Sequence, residues 1–244
     1  MKKLLPVLLI LAISYNASGQ ISTFLESGKS GMGFSALARQ GEGFYGFGGN
    51  ISGTIKGKLD LELHYKYDTY TKEALDMISD KALSNVMALR SRYWIFREKI
   101  HPAVDLNFGV IGNLVYSDIK GLKTYMDNGD LMESKYFTEL EFGAGGSADF
   151  RVAEKWYVEP SFFLVKKFGI DYWTEGQVEM HEGYQATRGI YGLALFRRTE
   201  KGATFIQATH YGEATGLKSW INLAAGYAFS FSMNLRDTAK TFCN

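Results

Sequence analysis

From Lys58 to Asp68 the chain reads KLDLELHYKYD. Leu59, Leu61, Leu63, Tyr65 and Tyr67 fall on one face of an extended chain; Lys58, Asp60, Glu62, His64, Lys66 and Asp68 fall on the other. Successive side chains of a strand point to opposite faces, so this period-two alternation predicts a strand with one apolar and one polar side. The beat recurs. Tyr45, Phe47, Gly49, Ile51, Gly53 and Ile55 oppose Gly46, Gly48, Asn50, Ser52 and Thr54. Phe108, Val110, Leu114 and Tyr116 oppose Asp105, Asn107 and Asn113, and Leu140, Phe142, Ala148 and Phe150 oppose Glu139, Glu141, Ser147, Asp149 and Arg151. Near the end, Ile221, Leu223, Ala225, Tyr227, Phe229 and Phe231 oppose Asn222, Gly226 and Ser230.

This pattern predicts ten strands, at 30–39, 43–55, 58–68, 84–97, 103–116, 136–152, 156–171, 184–197, 203–211 and 219–231. The eighth and ninth alternate weakly, which leaves eight or twelve open. The connections sort by length. Those after even strands are tight (Lys56-Gly57, 98–102, 153–155, 199–202), whereas most after odd strands are long (69–83, 117–135, 172–183, 212–218). A transmembrane up-and-down β-barrel has this asymmetry, short turns at one rim and long loops at the other. Closure also removes the bare edges that long strands would otherwise expose. The fold expected is therefore an all-β, antiparallel, up-and-down transmembrane barrel. Within the loop 69–83, Leu75, Ile78, Ala82 and Leu83 could form the stripe of a short helix.

The N-terminus changes the picture by adding export. Met1-Lys2-Lys3 precedes an apolar run from Leu4 to Ile13 and the small residues Ala17, Ser18 and Gly19. That is the signal-peptide pattern, and the run is shorter than the roughly 20 residues a spanning helix needs. Residues 1–19 are read as a leader cleaved after Gly19, 20–231 as the barrel and 232–244 as a periplasmic tail. Composition agrees: 27 Gly, 15 Tyr and 17 Phe suit a pleated, half-buried surface that bends. Lys and Arg total 27 against 26 Asp and Glu, without the basic excess a nucleic-acid partner demands. The one cysteine, Cys243, excludes an intrachain disulfide framework.

Gly226-Tyr227-Ala228-Phe229-Ser230-Phe231 closes the last predicted strand. It resembles the C-terminal assembly signal of bacterial outer-membrane barrels, with Gly226, Phe229 and Phe231 at its marked positions. It departs from that signal in having Ala224 before the Gly, and in the residues that follow Phe231. Together with the opening FLESGKSGMGFSA and KGKLDLELHY, the chain resembles small outer-membrane β-barrel proteins of Gram-negative bacteria, of the Bacteroidota type. The resemblance implies outer-membrane lipid and the barrel-assembly machinery as partners, and an extracellular ligand it does not specify. It implies no cofactor.

Candidate chemistry comes from the polar face. By parity it includes Lys58, Asp60, Glu62, His64, Lys66, Asp68, Arg90, Arg92, Asp105, Glu139, Glu141, Asp149, Arg151, Glu159 and Lys167. A lipid-facing Arg or Lys costs about 2–4 kcal/mol at mid-membrane, so these charges belong inside. A barrel of this size is narrow enough for side chains to fill, and a wide pore needs about 16 strands. Both signs occur in near balance, which predicts a salt-bridged lumen; a narrow small-solute channel is the alternative. An embedded hydrolase is a third reading. Asp60, Glu62 and His64 share a face at about 7 Å spacing, but Lys58 and Lys66 on that face supply a simpler partner for the acids. Thr209 and His210 have no companion Ser. His64, His101, His181 and His210 lie on separate segments, and no phosphate-binding Gly loop is present. The sequence thus predicts no catalytic set and no metal site.

Overall fold

The computed structural model describes residues 21–41, 44–71, 81–120, 124–125, 131–132, 136–174, 177–179, 185–212 and 219–231. The proposed leader, the 232–244 tail with Cys243, His181 and the loop residues 72–80 lie outside them.

Ten long strands form the wall. They are β1 (Ser30–Gly41), β2 (Phe44–Ile55), β3 (Leu59–Thr71), β4 (Lys81–His101) and β5 (Val104–Lys120), followed by β6 (Tyr136–Arg151), β7 (Trp156–Thr174), β8 (Gln185–Thr199), β9 (Gly202–Tyr211) and β10 (Trp220–Phe231). Each pairs antiparallel with its chain neighbour, and β1 pairs with β10 from Ser30↔Phe231 to Gly41↔Trp220, which closes the barrel. Eight or twelve strands are excluded. Two short pieces, Thr124–Tyr125 and Leu131–Met132, pair in the β5–β6 connection, and Gln177–Glu179 folds back on the end of β7. The expected parity holds across the wall. In β3 the outward Leu61, Leu63 and Tyr65 are 46–53% exposed, whereas the inward Asp60, Glu62 and His64 are each 1% exposed. Outside lies a belt of aliphatic and aromatic side chains that only lipid can cover. Tyr45, Tyr67 and Tyr116 stand toward the loop rim, and Phe150, Trp156 and Phe229 toward the turn rim.

Register slips occur at Trp94/Phe96, Lys99/His101 and Thr138/Glu139, and two departures from plain alternation shape the interior. At Trp94/Phe96 the β4–β5 register slips, so that Ile95 and Phe96 are both outside and Arg97 turns inward. An extra residue in one strand of a pair does this. Opposite the bulge, Gly109 faces Trp94; a Cβ there would run into the Tyr93 carbonyl oxygen and lie 3.1 Å from the indole, so the glycine lets the two strands approach and leaves room for the ring inside the wall. The second feature precedes the wall. A short helical turn, α1 (Ile21–Phe24), enters the turn-end mouth, with Thr23, Phe24 and Leu25 buried.

Candidate functional site

The lumen is the candidate site, and its contents are ordered by strand register. β3 and β4 place Asp60 opposite Arg92 and Glu62 opposite Arg90. Arg92 Nη1 lies 3.7 Å from Asp60 Oδ2, and the Trp94 indole N–H donates to that oxygen at 3.2 Å. Glu62 Oε2 accepts from His64 Nε2 at 3.0 Å and lies 3.9 Å from Arg90 Nη1. Arg90 Nη2 donates across the barrel to the Tyr211 hydroxyl at 2.7 Å. Arg188 of β8 pairs with Glu141 of β6, whose other oxygen accepts from Asn113 Nδ2 at 2.9 Å. Toward the loop rim, Arg39 of β1 meets Asp68 at 2.8 Å.

The turn-end mouth is built differently. Register sets Asp105 of β5 directly against Asp149 of β6, a like-charge pair that needs a cation. Arg198 of β8 supplies it, 3.8 Å from Asp105 Oδ2 and 3.2 Å from Asp149 Oδ2. The same guanidinium donates to the carbonyls of Thr23 (2.7 Å) and Phe24 (3.1 Å). The Phe24 ring sits 4.9 Å from Phe196 and 4.6 Å from Phe205, against a patch that includes Ala194, Ala203 and Ala228. This explains the weak alternation of β8 and β9: their inner faces are apolar here because they hold α1. Arg97, turned in by the bulge, donates to Gly57 O at 2.8 Å and to Asn107 Oδ1 at 3.1 Å.

At three levels an arginine lies on aromatic rings. Arg92 is 5.4 Å from Trp94 and 5.1 Å from Phe163; Arg188 is 5.0 Å from Tyr211 and 4.5 Å from Trp220; Arg198 is 4.3 Å from Tyr157 and 5.2 Å from Phe196. Tyr211 and Trp220 are themselves stacked at 4.9 Å, as are Tyr157 and Phe196 at 5.1 Å. Desolvated cation–π contacts are worth about 2 kcal/mol, and a ring also fills volume that a bare ion pair leaves open.

Most of the residues expected inside are there: Asp60, Glu62, His64, Asp68, Arg90, Arg92, Glu141, Asp149, Glu159 and Lys167 are buried, with Lys66 and Asp105 half-buried. Two are not. Lys58 is exposed because it sits in the β2–β3 turn, where its main-chain oxygen accepts from Trp94 N at 2.8 Å. Arg151 is exposed because β6 ends there, and it folds onto its own turn to donate to Ala153 O and Glu154 O. Parity governs only where the wall continues. The Glu139 side chain lies outside the described residues. Gly226 faces inward against Phe205, and Phe229 is on the lipid side. Sequence reasoning missed Arg39, Arg97, Arg188 and Arg198, and also the inward rings. Parity carried a signal for several of them: Trp94 shares the phase of Arg90 and Arg92, and Phe163 that of Glu159 and Lys167.

Chemically, this arrangement pairs each of several buried acids with an arginine. His64 and Glu62 are within proton-transfer distance, yet each is 1% exposed and walled by Arg90 and its neighbours. His210 stands on the outer face, its ring 6.0 Å from that of Tyr191. Among the described residues, no group of three or more His, Cys, Asp or Glu is placed to hold a metal ion.

Closed wall, lipid belt and polar interior together define a transmembrane antiparallel β-barrel of ten strands. No protein-family model matches the chain, and no curated protein does. Among solved structures, it is similar to Ail, the attachment invasion locus protein of Yersinia pestis, at 11% identity and TM-score 0.38, covering 84% of this chain and 100% of that one. An outer membrane channel from Pseudomonas putida F1 aligns at 10% identity and TM-score 0.43, over 89% and 98% of the two chains. The outer membrane protease OmpT from Escherichia coli aligns at 10% identity and TM-score 0.34, over 83% and 95%. These likenesses are of barrel architecture.

Proposed function

We propose that the protein is a closed bacterial outer-membrane barrel, exported by its N-terminal leader and inserted by the barrel-assembly machinery. In this reading it acts without catalysis, as a structural or surface-interaction protein whose long connections 117–135 and 172–183 meet an extracellular partner. The observation that supports it is the burial and pairing of the interior charges. Asp60, Glu62, Glu141 and Asp149 are each 1% exposed and each has an arginine partner, and α1 occupies the turn-end mouth. A water-filled channel would leave its charged lining hydrated. The lipid belt and the sorting of turns from loops support the membrane placement.

Liposome swelling tests the reading. Proteoliposomes placed in isosmotic arabinose are expected to swell no faster than protein-free vesicles. Swelling that scales with the amount of barrel incorporated would instead favour a small-solute channel.

A further inference from the structure

The rim that carries the tight turns is a ring of cations. Lys56 and Lys58 are exposed in the β2–β3 turn, Lys99 at the β4–β5 turn, Lys155 in the β6–β7 turn, and Arg197 and Lys201 at the β8–β9 turn. Arg151 adds a charge while bracing its own turn. Among the described residues of this rim, the exposed acids are Glu98, Glu154 and Glu200, together with Glu26, which is held by Lys29 at 2.6 Å. Cations are therefore in clear excess.

These charges stand at the edge of the apolar belt. Lys56 follows Ile55, Lys99 precedes Ile100, Arg151 precedes Val152 and Lys155 precedes Trp156, and those four neighbours are 42–59% exposed on the outer surface. A lysine stem lying along such apolar surface places its ammonium at headgroup depth. Lys56 stands at the turn in a left-handed backbone, φ 51°, followed by Gly57 at φ 61°. Asn or Gly fits the first of these positions with less strain. Because the cations surround the barrel, their complement is an anionic surface on all sides of it.

We propose that this rim binds the phosphate headgroups of anionic phospholipids, such as phosphatidylglycerol, in the leaflet around the turn end. The proposal rests on the barrel spanning a bilayer and is independent of whether its lumen is closed. The test uses full-length protein in bilayers of phosphatidylethanolamine with a minor fraction of phosphatidylglycerol. The barrel is extracted in mild detergent, and its retained lipid is quantified by mass spectrometry. Phosphatidylglycerol is expected to be enriched above its bilayer fraction. In a variant combining Lys56→Gln, Lys58→Gln, Lys99→Gln, Lys155→Gln, Arg197→Gln and Lys201→Gln, it should fall to that fraction while heat-modifiable gel migration is kept. Extracting the unaltered protein in about 1 M salt, where charges are screened beyond about 3 Å, should also abolish the enrichment, so the test survives a variant that does not fold. Enrichment that persists in both conditions, or is absent from the unaltered protein, overturns the proposal. So does charge-dependent binding to isolated peptidoglycan without lipid enrichment. Failure of the unaltered protein to show heat-modifiable migration in bilayers would strike the membrane reading instead.

Discussion

At the scale of single residues, stability of the lumen depends on charges that cannot be left alone. Glu141 and Arg188 are both buried, and the arginine is also seated on Tyr211 and Trp220. Removing one member of a buried pair exposes the full desolvation penalty of the other, about 3–5 kcal/mol. Glu141→Ala is therefore expected to lower the unfolding free energy by about that much, read by urea titration of tryptophan fluorescence in lipid vesicles. Glu141→Ala with Arg188→Leu should recover most of the loss, because no uncompensated charge then remains. A single-variant loss of under about 0.5 kcal/mol, the size of an ordinary surface substitution, would contradict the pairing. Asp60, Glu62, Lys66 and Asp68 of β3 and Arg90 and Arg92 of β4 were legible from parity alone, because a charged side chain in a membrane wall has one tolerable side. The arginines of β1 and β8 were not, because their strands carry apolar residues on both faces. Lys58 and Arg151 misled for the opposite reason: their phase is inward, but the wall ends where they stand.

At the scale of elements, the sequence announced ten strands within a few residues of their observed bounds. It did not announce α1. The segment before β1 carries no period, and its role depends on Phe196 and Phe205, far away in the chain. The β4 bulge was equally hidden: one extra residue reverses the phase as far as the next slip at Lys99/His101, and only the partner strand reveals it. The fit of Phe24 leads to a prediction. Ala203 is 0% exposed beneath it, so Ala203→Cys, made together with Cys243→Ser, should resist a small maleimide. Adding Phe24→Ala should make that cysteine react promptly and cost about 3–5 kcal/mol of stability. Equal labelling with and without Phe24 would show that α1 does not seal the mouth.

At the scale of the whole molecule, the barrel separates three environments. The outer face is apolar, the turn rim is cationic, and the interior is a ladder of ion pairs and ring-backed arginines. The interior decides function, because a wall of this kind serves equally well around a channel, a binding site or a filled core. Balanced charge in the sequence pointed to a filled core. The rings that back the inward arginines were unreadable as such, since aromatic residues in a barrel strand serve lipid and lumen alike. Single-channel recording in planar bilayers tests this closure most directly. The closed lumen predicts a flat current at moderate voltage after confirmed insertion of the folded barrel. Reproducible, uniform conductance steps from the unaltered protein would contradict it.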